Sequence, residues 1–270
     1  MAPKISVLMG IYNCASTLAA AIDCILAQTE QDWELILCDD GSADDTCAVA
    51  KSYVEKYPDR IILLQNERNM GLNFTLNRCL AAAKGEFIAR MDGDDLCSPD
   101  RFEKELAALM AQPDMALVST AMTYFDETGT WGRNNPKPQP QKVDFLYGTP
   151  FCHAPCMARR AAFEAVGGYT DDPKFLRVED FDLWVKLYAA GYRGMNLDEP
   201  LYQMRDDRDA FSRRKFRYRI NEARVIGKAI RLLKLPKWQY YRVLRPILVG
   251  LMPMWLYKKL HQRRLGGQTQ

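Results

Sequence analysis

The stretch Ile88-Ala-Arg-Met-Asp-Gly-Asp-Asp-Leu-Cys-Ser-Pro-Asp-Arg101 decides how this chain is read. An apolar run from Glu86 to Met91 has the length and composition of a strand, and it stops at three carboxylates, Asp92, Asp94 and Asp95. Acids crowded this closely repel one another, so the segment is costly unless positive charge sits among them. Pro99 then suits the first turn of a helix running to about Ala111.

Upstream, strand and helix periods alternate. Ile5–Met9, Trp33–Cys38 and Arg60–Gln65 read as buried strands. Between them, residues 16–27 (with Ser16 as N-cap), 44–55 and 72–83 have helical spacing. Downstream, Met115–Tyr124 is a fifth strand, and Glu127–Lys142, with Asn134-Asn-Pro-Lys-Pro-Gln-Pro, reads as a mobile loop. A short strand follows at Ala154–Ala158, then a helix ended by Gly167-Gly168, a helix over 180–190 and a strand over 199–205. Alternation with short links predicts an α/β fold with a mostly parallel sheet covered on both faces.

Bulk properties narrow the class. The 270 residues suit one sizeable domain with an appendage. Eight scattered cysteines without a CxxC pair read as reduced thiols, and Cys152, His153 and Cys156 lack a fourth zinc ligand. No apolar run reaches the ~20 residues of a membrane span, and the start does not resemble a signal peptide. Charge is uneven. From Arg205 onward there are 18 Lys and Arg against 4 Asp and Glu, a net +14, whereas the preceding residues carry 19 against 30, a net −11. A basic tail on an acidic body predicts an anionic partner.

Three polar clusters fall at carboxyl ends of strands, where open α/β sheets bind ligands: Gly10-Ile-Tyr-Asn13, Asp39-Asp-Gly-Ser42 and Asp92-Gly-Asp-Asp95. One alone would fit the turn and capping preferences of Asp, Gly, Ser and Asn; three on one edge point to a site. There is no G-x-G-x-x-G after the first strand and no P-loop, so phosphates here would need a different counter-charge, such as a divalent cation on carboxylates.

The segments ISVLMGIYN, ELILCDDGSADDT, NMGLNFTLNRCLAAAKGEFIARMDGDD and VEDFDLW together resemble family 2 glycosyltransferases of the GT-A fold, in the family's order over about Ile5 to Arg205. The resemblance implies a Rossmann-like sheet flanked by helices. It implies inverting transfer of a hexose from a nucleotide-sugar, with Mn2+ or Mg2+ as cofactor. Carried over residue by residue, it implies Tyr12 against the donor base, Asp40 accepting a hydrogen bond from that base, and Asp39 as the weaker alternative. Asp92 would approach the ribose or metal-bound water, and Asp94 would bind the metal. Asp95 would orient Asp94 or cap the next helix. Asp180 matches the catalytic base, with Glu179 beside it. The chain lacks the Gln/Arg-x-x-Arg-Trp pattern that marks processive relatives, which implies addition of a single sugar.

Bland readings stand beside these. Asp180 is also suited to cap the 180–190 helix and Trp184 to fill core; His153, which resembles a recurrent histidine of related sequences, is read as facing the donor or acceptor, with a satisfied core histidine as its bland alternative. Arg90 either pairs an acid or a phosphate or lies at a sheet-edge surface. The division expected is a catalytic domain over 1–208, with a nucleotide-sugar-binding half to about 112 and an acceptor-binding half from about 113. A basic amphipathic helical tail follows over 209–270. Arg213–Arg219 interleaves charge with aromatics, and Pro246–Tyr257 is apolar, with Trp255 and Tyr257 suited to headgroup depth. The tail therefore predicts binding to an anionic membrane surface through 211–264, or packing on the domain or on a second copy as a homo-oligomer. No nucleic acid is expected. The function expected is extension of a glycan or lipid-linked acceptor in surface-polysaccharide synthesis, at the cytoplasmic face of the plasma membrane. The rivals are a nucleotidyltransferase making nucleotide-sugars and a non-catalytic glycan- or lipid-binding scaffold.

Overall fold

The computed structural model describes residues 2–206 and 215–252. In chain order the elements are β1 (Ile5–Ile11), α1 (Ala15–Leu26), β2 (Trp33–Asp39), α2 (Thr46–Lys56), β3 (Ile61–Gln65), α3 (Leu72–Ala82), β4 (Phe87–Arg90) and β5 (Leu96–Cys97). There follow α4 (Arg101–Ala111), β6 (Met115–Asp126), β7 (Gly129–Arg133), β8 (Met157–Arg159), α5 (Arg160–Ala165), α6 (Glu179–Ala189), β9 (Arg193–Arg205), α7 (Phe216–Leu232) and α8 (Leu244–Leu251).

The strands form one sheet in the order β3-β2-β1-β4-β8-β6-β9-β5, with β7 paired to β6. The expected α/β sandwich is present. Its first half is parallel: β1 lies between β2 and β4, with Ile11 level with Asp39 and Leu8 level with Arg90. This register sets the three polar clusters side by side. The second half is mixed, because β8 runs antiparallel to both β4 and β6 while β9 runs parallel to β6.

Alternation along β1 divides the core. Ile5, Val7, Met9 and Ile11 face α1 and the Ala50 side of α2, whereas Leu8 faces Leu76, Cys79 and the aromatic group of Phe151, Phe163 and Trp184. Trp184 is thus core, as its bland reading had it. Side chains buried this completely each contribute about 1.5–3 kcal/mol.

Several local readings change. The 127–142 stretch is not a mobile loop: β7 forms a hairpin with β6, and Lys142–Leu146 is a 3-10 helix that buries Phe145 and Leu146. Strand pairing covers Gly129–Arg133, and in the proline-rich run beyond it the Pro138 carbonyl accepts from the Asn196 amide at 2.7 Å. Ser16 does not cap α1, which begins one residue earlier with Cys14 at the N-cap position; Thr46 Oγ1 instead accepts from the Cys14 amide at 2.8 Å. The strand expected at 199–205 starts at Arg193, and the short β5 escaped notice because two residues carry no period.

The basic segment is not a separate appendage over its first helix. Val225, Ile226, Ala229 and Ile230 of α7 enter the same core as Trp184. Lys228 Nζ pairs with the fully buried Asp182 of α6 at 2.5 Å, Thr170 Oγ1 donates to the other oxygen of Asp182 at 2.6 Å, and Asn221 Nδ2 donates to the Leu176 carbonyl. The α7 helix therefore fixes α6 and the loop leading into it. We expect Lys228→Met to cost about 3 kcal/mol in chemical denaturation, because it strands a buried carboxylate. A midpoint equal to wild type would show that Thr170 alone satisfies Asp182.

Candidate active site

A cleft of about 820 Å³ opens beyond the carboxyl end of β4. Arg90, Asp92, Thr149, His153, Glu179 and Asp180 line it, together with Tyr124, Lys137 and Tyr147. Asp92 and Glu179, 87 residues apart in sequence, thus line one cavity together with Asp180.

Arg90 is buried in a central strand and is not at a sheet-edge surface. Its guanidinium grips Asp92 through two bonds, Nη1 to Oδ2 at 2.9 Å and Nη2 to Oδ1 at 2.5 Å. Burial works against that charge, but Asp92 beside it more than offsets the penalty and keeps Arg90 protonated. Part of the positive charge required by the crowded acids is therefore internal.

The three acids are inequivalent. Asp95 is buried: Tyr202 Oη donates to it at 2.8 Å and the Arg205 amide at 2.7 Å. Burial, then the charges of Asp92 and Asp94, push its carboxyl up to about 8. It ties the acidic loop to β9 and does not cap α4, whose N-cap position is Asp100. Asp94, two residues beyond the cleft-lining Asp92, is exposed, and its carboxyl makes no hydrogen bond or ion pair among the described residues. Desolvation first and Asp92 second push it above the usual carboxylate range. Between Asp92 and Asp94, Gly93 leaves no room for a side chain: a Cβ would meet Cys14 Sγ at 2.9 Å.

Asp180 occupies the first turn of α6, two residues after the N-cap position at Val178, so it does not cap the helix. It is half-buried, and Thr149 Oγ1 lies 3.4 Å from its Oδ2. Burial, reinforced by the charge of Glu179, pushes its carboxyl up to about 7. Glu179 is nearly enclosed, its Oε2 has no hydrogen-bond partner among the described residues, and burial raises it too. His153 both lines the cleft and is satisfied, with Nε2 2.8 Å from Tyr169 Oη; burial and then Arg90 hold it well below its usual range, hence neutral.

The β1 and β2 clusters lie on the neighbouring strand ends. Tyr12 is half-exposed. The reading of the two acids of Asp39-Asp40 changes. Asp40 is committed to the chain: Asn66 Nδ2 and the Met70 amide donate to Oδ1 at 2.7 and 2.8 Å, and the Gly71 amide donates to Oδ2 at 2.9 Å. It holds the 66–71 loop and the start of α3 in place, which leaves it poorly suited to a ligand. Among the described residues the Asp39 carboxylate bonds Ser42 alone, through Oδ1, so its Oδ2 remains over for a partner. Gly41 makes this possible, with φ +71° and a would-be Cβ 2.7 Å from the Arg68 backbone. Gly41→Ala is expected to displace the 66–71 loop and cost about 1–3 kcal/mol in chemical denaturation, since the new Cβ meets backbone; an unchanged midpoint would show that the loop yields freely.

Among the described residues, no three His, Cys, Asp or Glu side chains gather as a metal cage. Cys152, His153 and Cys156 do not assemble a zinc site: Asn134 Nδ2 donates to Cys152 Sγ, and His153 is taken by Tyr169. Arg177, at φ +68° on the cleft wall, and Thr149 were not foreseen, since an arginine or threonine in a loop carries no positional signal.

Comparison with known proteins agrees with this architecture. The sequence model described as Glycosyl transferase family 2 matches residues 6–167, and Glycosyl transferase family group 2 matches 87–264. EpsE of Bacillus subtilis (strain 168) is 44% identical over 268 residues, 99% of this chain and 96% of that protein. The crystal structure of S. aureus TarS 1-349 in complex with UDP-GlcNAc is similar with a TM-score of 0.69 and 19% identity, over 99% of this chain and 76% of that one. The mannosyltransferase PcManGT from Pyrobaculum calidifontis, in complex with GDP-Man and Mn2+, gives 0.68 and 19%, over 98% and 80%. A parallel half-sheet that lines up three polar clusters, a cleft joining Asp92 to Asp180, and a family match over more than half its length lead to one conclusion: the chain is a glycosyltransferase and belongs to glycosyl transferase family 2.

Proposed function

We propose that this chain is a metal-dependent inverting glycosyltransferase that moves a hexose from a UDP-sugar to a hydroxyl of a glycan or lipid-linked acceptor, in surface-polysaccharide synthesis at the cytoplasmic face of the membrane. The observation that carries the reading is Asp180, a carboxylate raised to about 7 in the cleft that also holds Asp92. The nucleotide-sugars in complex with TarS and PcManGT support the donor class.

On this reading Tyr12 lies against the base, and Asp39 accepts its hydrogen bond, in place of Asp40. The residues present fit a divalent cation: Asp94 offers a hard oxygen ligand with no hydrogen-bond or ion-pair partner among the described residues, and Asp92 stands beside it. The donor diphosphate and water would supply the remaining ligands. When bound, Mn2+ or Mg2+ neutralises the charge that develops on the departing diphosphate. Asp180 receives the proton of the acceptor hydroxyl as that oxygen attacks the anomeric carbon from the face opposite the leaving group, which inverts the carbon. Burial first and Glu179 second keep that proton affinity high. One carboxylate suffices, in contrast to the paired acids of glycosidases.

Asp180 must be ionised to act, so the pH profile has a definite sign. With donor saturating, kcat/KM for the acceptor should fall about tenfold per pH unit below ~7 and level off above it. A flat profile between pH 5 and 8, with UDP release as the readout, would remove Asp180 as base. A panel of nucleotide-sugars scored for nucleoside diphosphate release tests the donor class; release only from GDP-sugars would overturn UDP.

A further inference from the structure

Large apolar side chains are exposed along one continuous line in the C-terminal segment. Trp238 and Tyr241 lie in the 3-10 helix Lys237–Val243, where a spacing of three keeps residues on one face. That helix runs directly into α8, where Leu244, Leu248 and Leu251 follow at the spacing of four and three that keeps one face of an α-helix. The five are 69%, 50%, 56%, 64% and 67% exposed, and the Trp238 and Tyr241 rings stack with centroids 6.0 Å apart. Pro246, on the opposite side of α8, is buried. The amphipathic pattern is thus inverted, with the apolar line outward, and a soluble surface rarely tolerates so long a stripe without a partner.

Charge indicates which partner. Residues 215–252 carry ten Lys and Arg and a single acid, Glu222, itself paired with Arg219. Lys237, Arg242 and Arg245 border the stripe. A second copy packed stripe against stripe would bring the same positive charge against itself, whereas an anionic surface would complement it.

The stripe also adjoins the cleft. Arg242 Nη2 donates to Tyr147 Oη at 3.1 Å, with its guanidinium carbon 4.6 Å from the centre of that ring, and Arg245 Nη1 donates to the Tyr147 carbonyl at 2.9 Å. Tyr147 is itself a cleft-lining residue.

We propose that the stripe from Trp238 to Leu251 is the docking surface for an anionic lipid bilayer, and that it seats the cleft mouth at Tyr147 against that bilayer. Leucines and stacked aromatics enter the headgroup boundary while the flanking cations meet lipid phosphates. The stripe falls within the 211–264 segment expected to meet a membrane and shares Leu248 and Leu251 with its apolar run; Trp255 and Tyr257 lie outside the described residues. The orientation of the cleft rests on the glycosyltransferase reading, with the acceptor presented from the bilayer; the docking itself does not.

The test is flotation of the full chain with vesicles of phosphatidylcholine alone or mixed with phosphatidylglycerol. The chain should float with the anionic vesicles at least about tenfold better than with the neutral ones. Leu244→Asn/Leu248→Asn, both at exposed positions, should reduce that binding about tenfold or more while leaving UDP affinity and the melting temperature unchanged. Equal flotation with both vesicle types, or a double variant that floats like wild type, overturns the proposal. So does a concentration-dependent dimer in light scattering that the double variant abolishes, since the stripe would then be a protein interface. Intact UDP binding without flotation would sink the docking surface and leave the catalytic reading standing.

Discussion

Replacing Asp180 with Asn should lower transfer by about 10²–10⁴-fold while UDP and donor affinity stay near wild type. The asparagine keeps the size of the side chain and its place in the first turn of α6, but it cannot accept the proton of the acceptor hydroxyl. A loss confined to kcat marks an interaction made in the transition state, whereas a matching rise in donor KM would mark a binding role. Transfer at the wild-type rate would remove the base assignment. The same variant carries a stability signature. Folding raises this carboxyl from about 3.9 in the unfolded chain to about 7, so the native state holds the proton more tightly. The stabilisation is complete below the unfolded value and is lost as pH rises through the folded one. At pH 8 the wild type carries a disfavoured buried charge, and Asp180→Asn should therefore melt higher. At pH 4 the two should melt together. A variant that loses activity and gains stability identifies a residue whose placement serves chemistry over folding.

Asp94→Ala should remove the metal-dependent part of donor binding and lower transfer by about 10²–10³-fold. Its carboxyl supports no hydrogen bond or ion pair among the described residues, so the loss cannot be assigned to a broken scaffold. Calorimetric titration of UDP with and without Mn2+ separates the effects. Wild type should bind UDP more tightly with Mn2+ present, and Asp94→Ala should bind it equally weakly either way. An unchanged Mn2+ response would exclude Asp94 as a ligand. Asp95→Ala supplies the contrast: Asp95 holds Tyr202 and the Arg205 amide, so its loss should appear as a lower melting temperature.

By itself the sequence determined the alternation of β1 to β4 with α1 to α3, because buried strands and amphipathic helices imprint their periods on neighbouring residues. It also determined that polar clusters end β1, β2 and β4, and through the family resemblance it offered Asp92, Asp94 and Asp180 as candidate site acids. Only the tertiary structure decided what each acid can do. Asp39 and Asp40 are adjacent and chemically identical, yet Asn66, Met70 and Gly71 consume one and leave the other an unbonded oxygen, since partners come from a loop 26–31 residues away. Asp92 acquires its counter-charge from Arg90 two residues before it, a pairing that depends on a buried rotamer. The 127–142 stretch lacks any period, and pairing with β6 ordered Gly129–Arg133 into a strand. The basic segment looked uniform in sequence but divides in space: α7 is core, fixed by Lys228 and Asp182, while Trp238 to Leu251 lines up apolar side chains toward solvent. Composition measures how much charge and apolar surface a segment carries. Which face that surface occupies depends on contacts between residues far apart in the chain, and those exist only once it has folded.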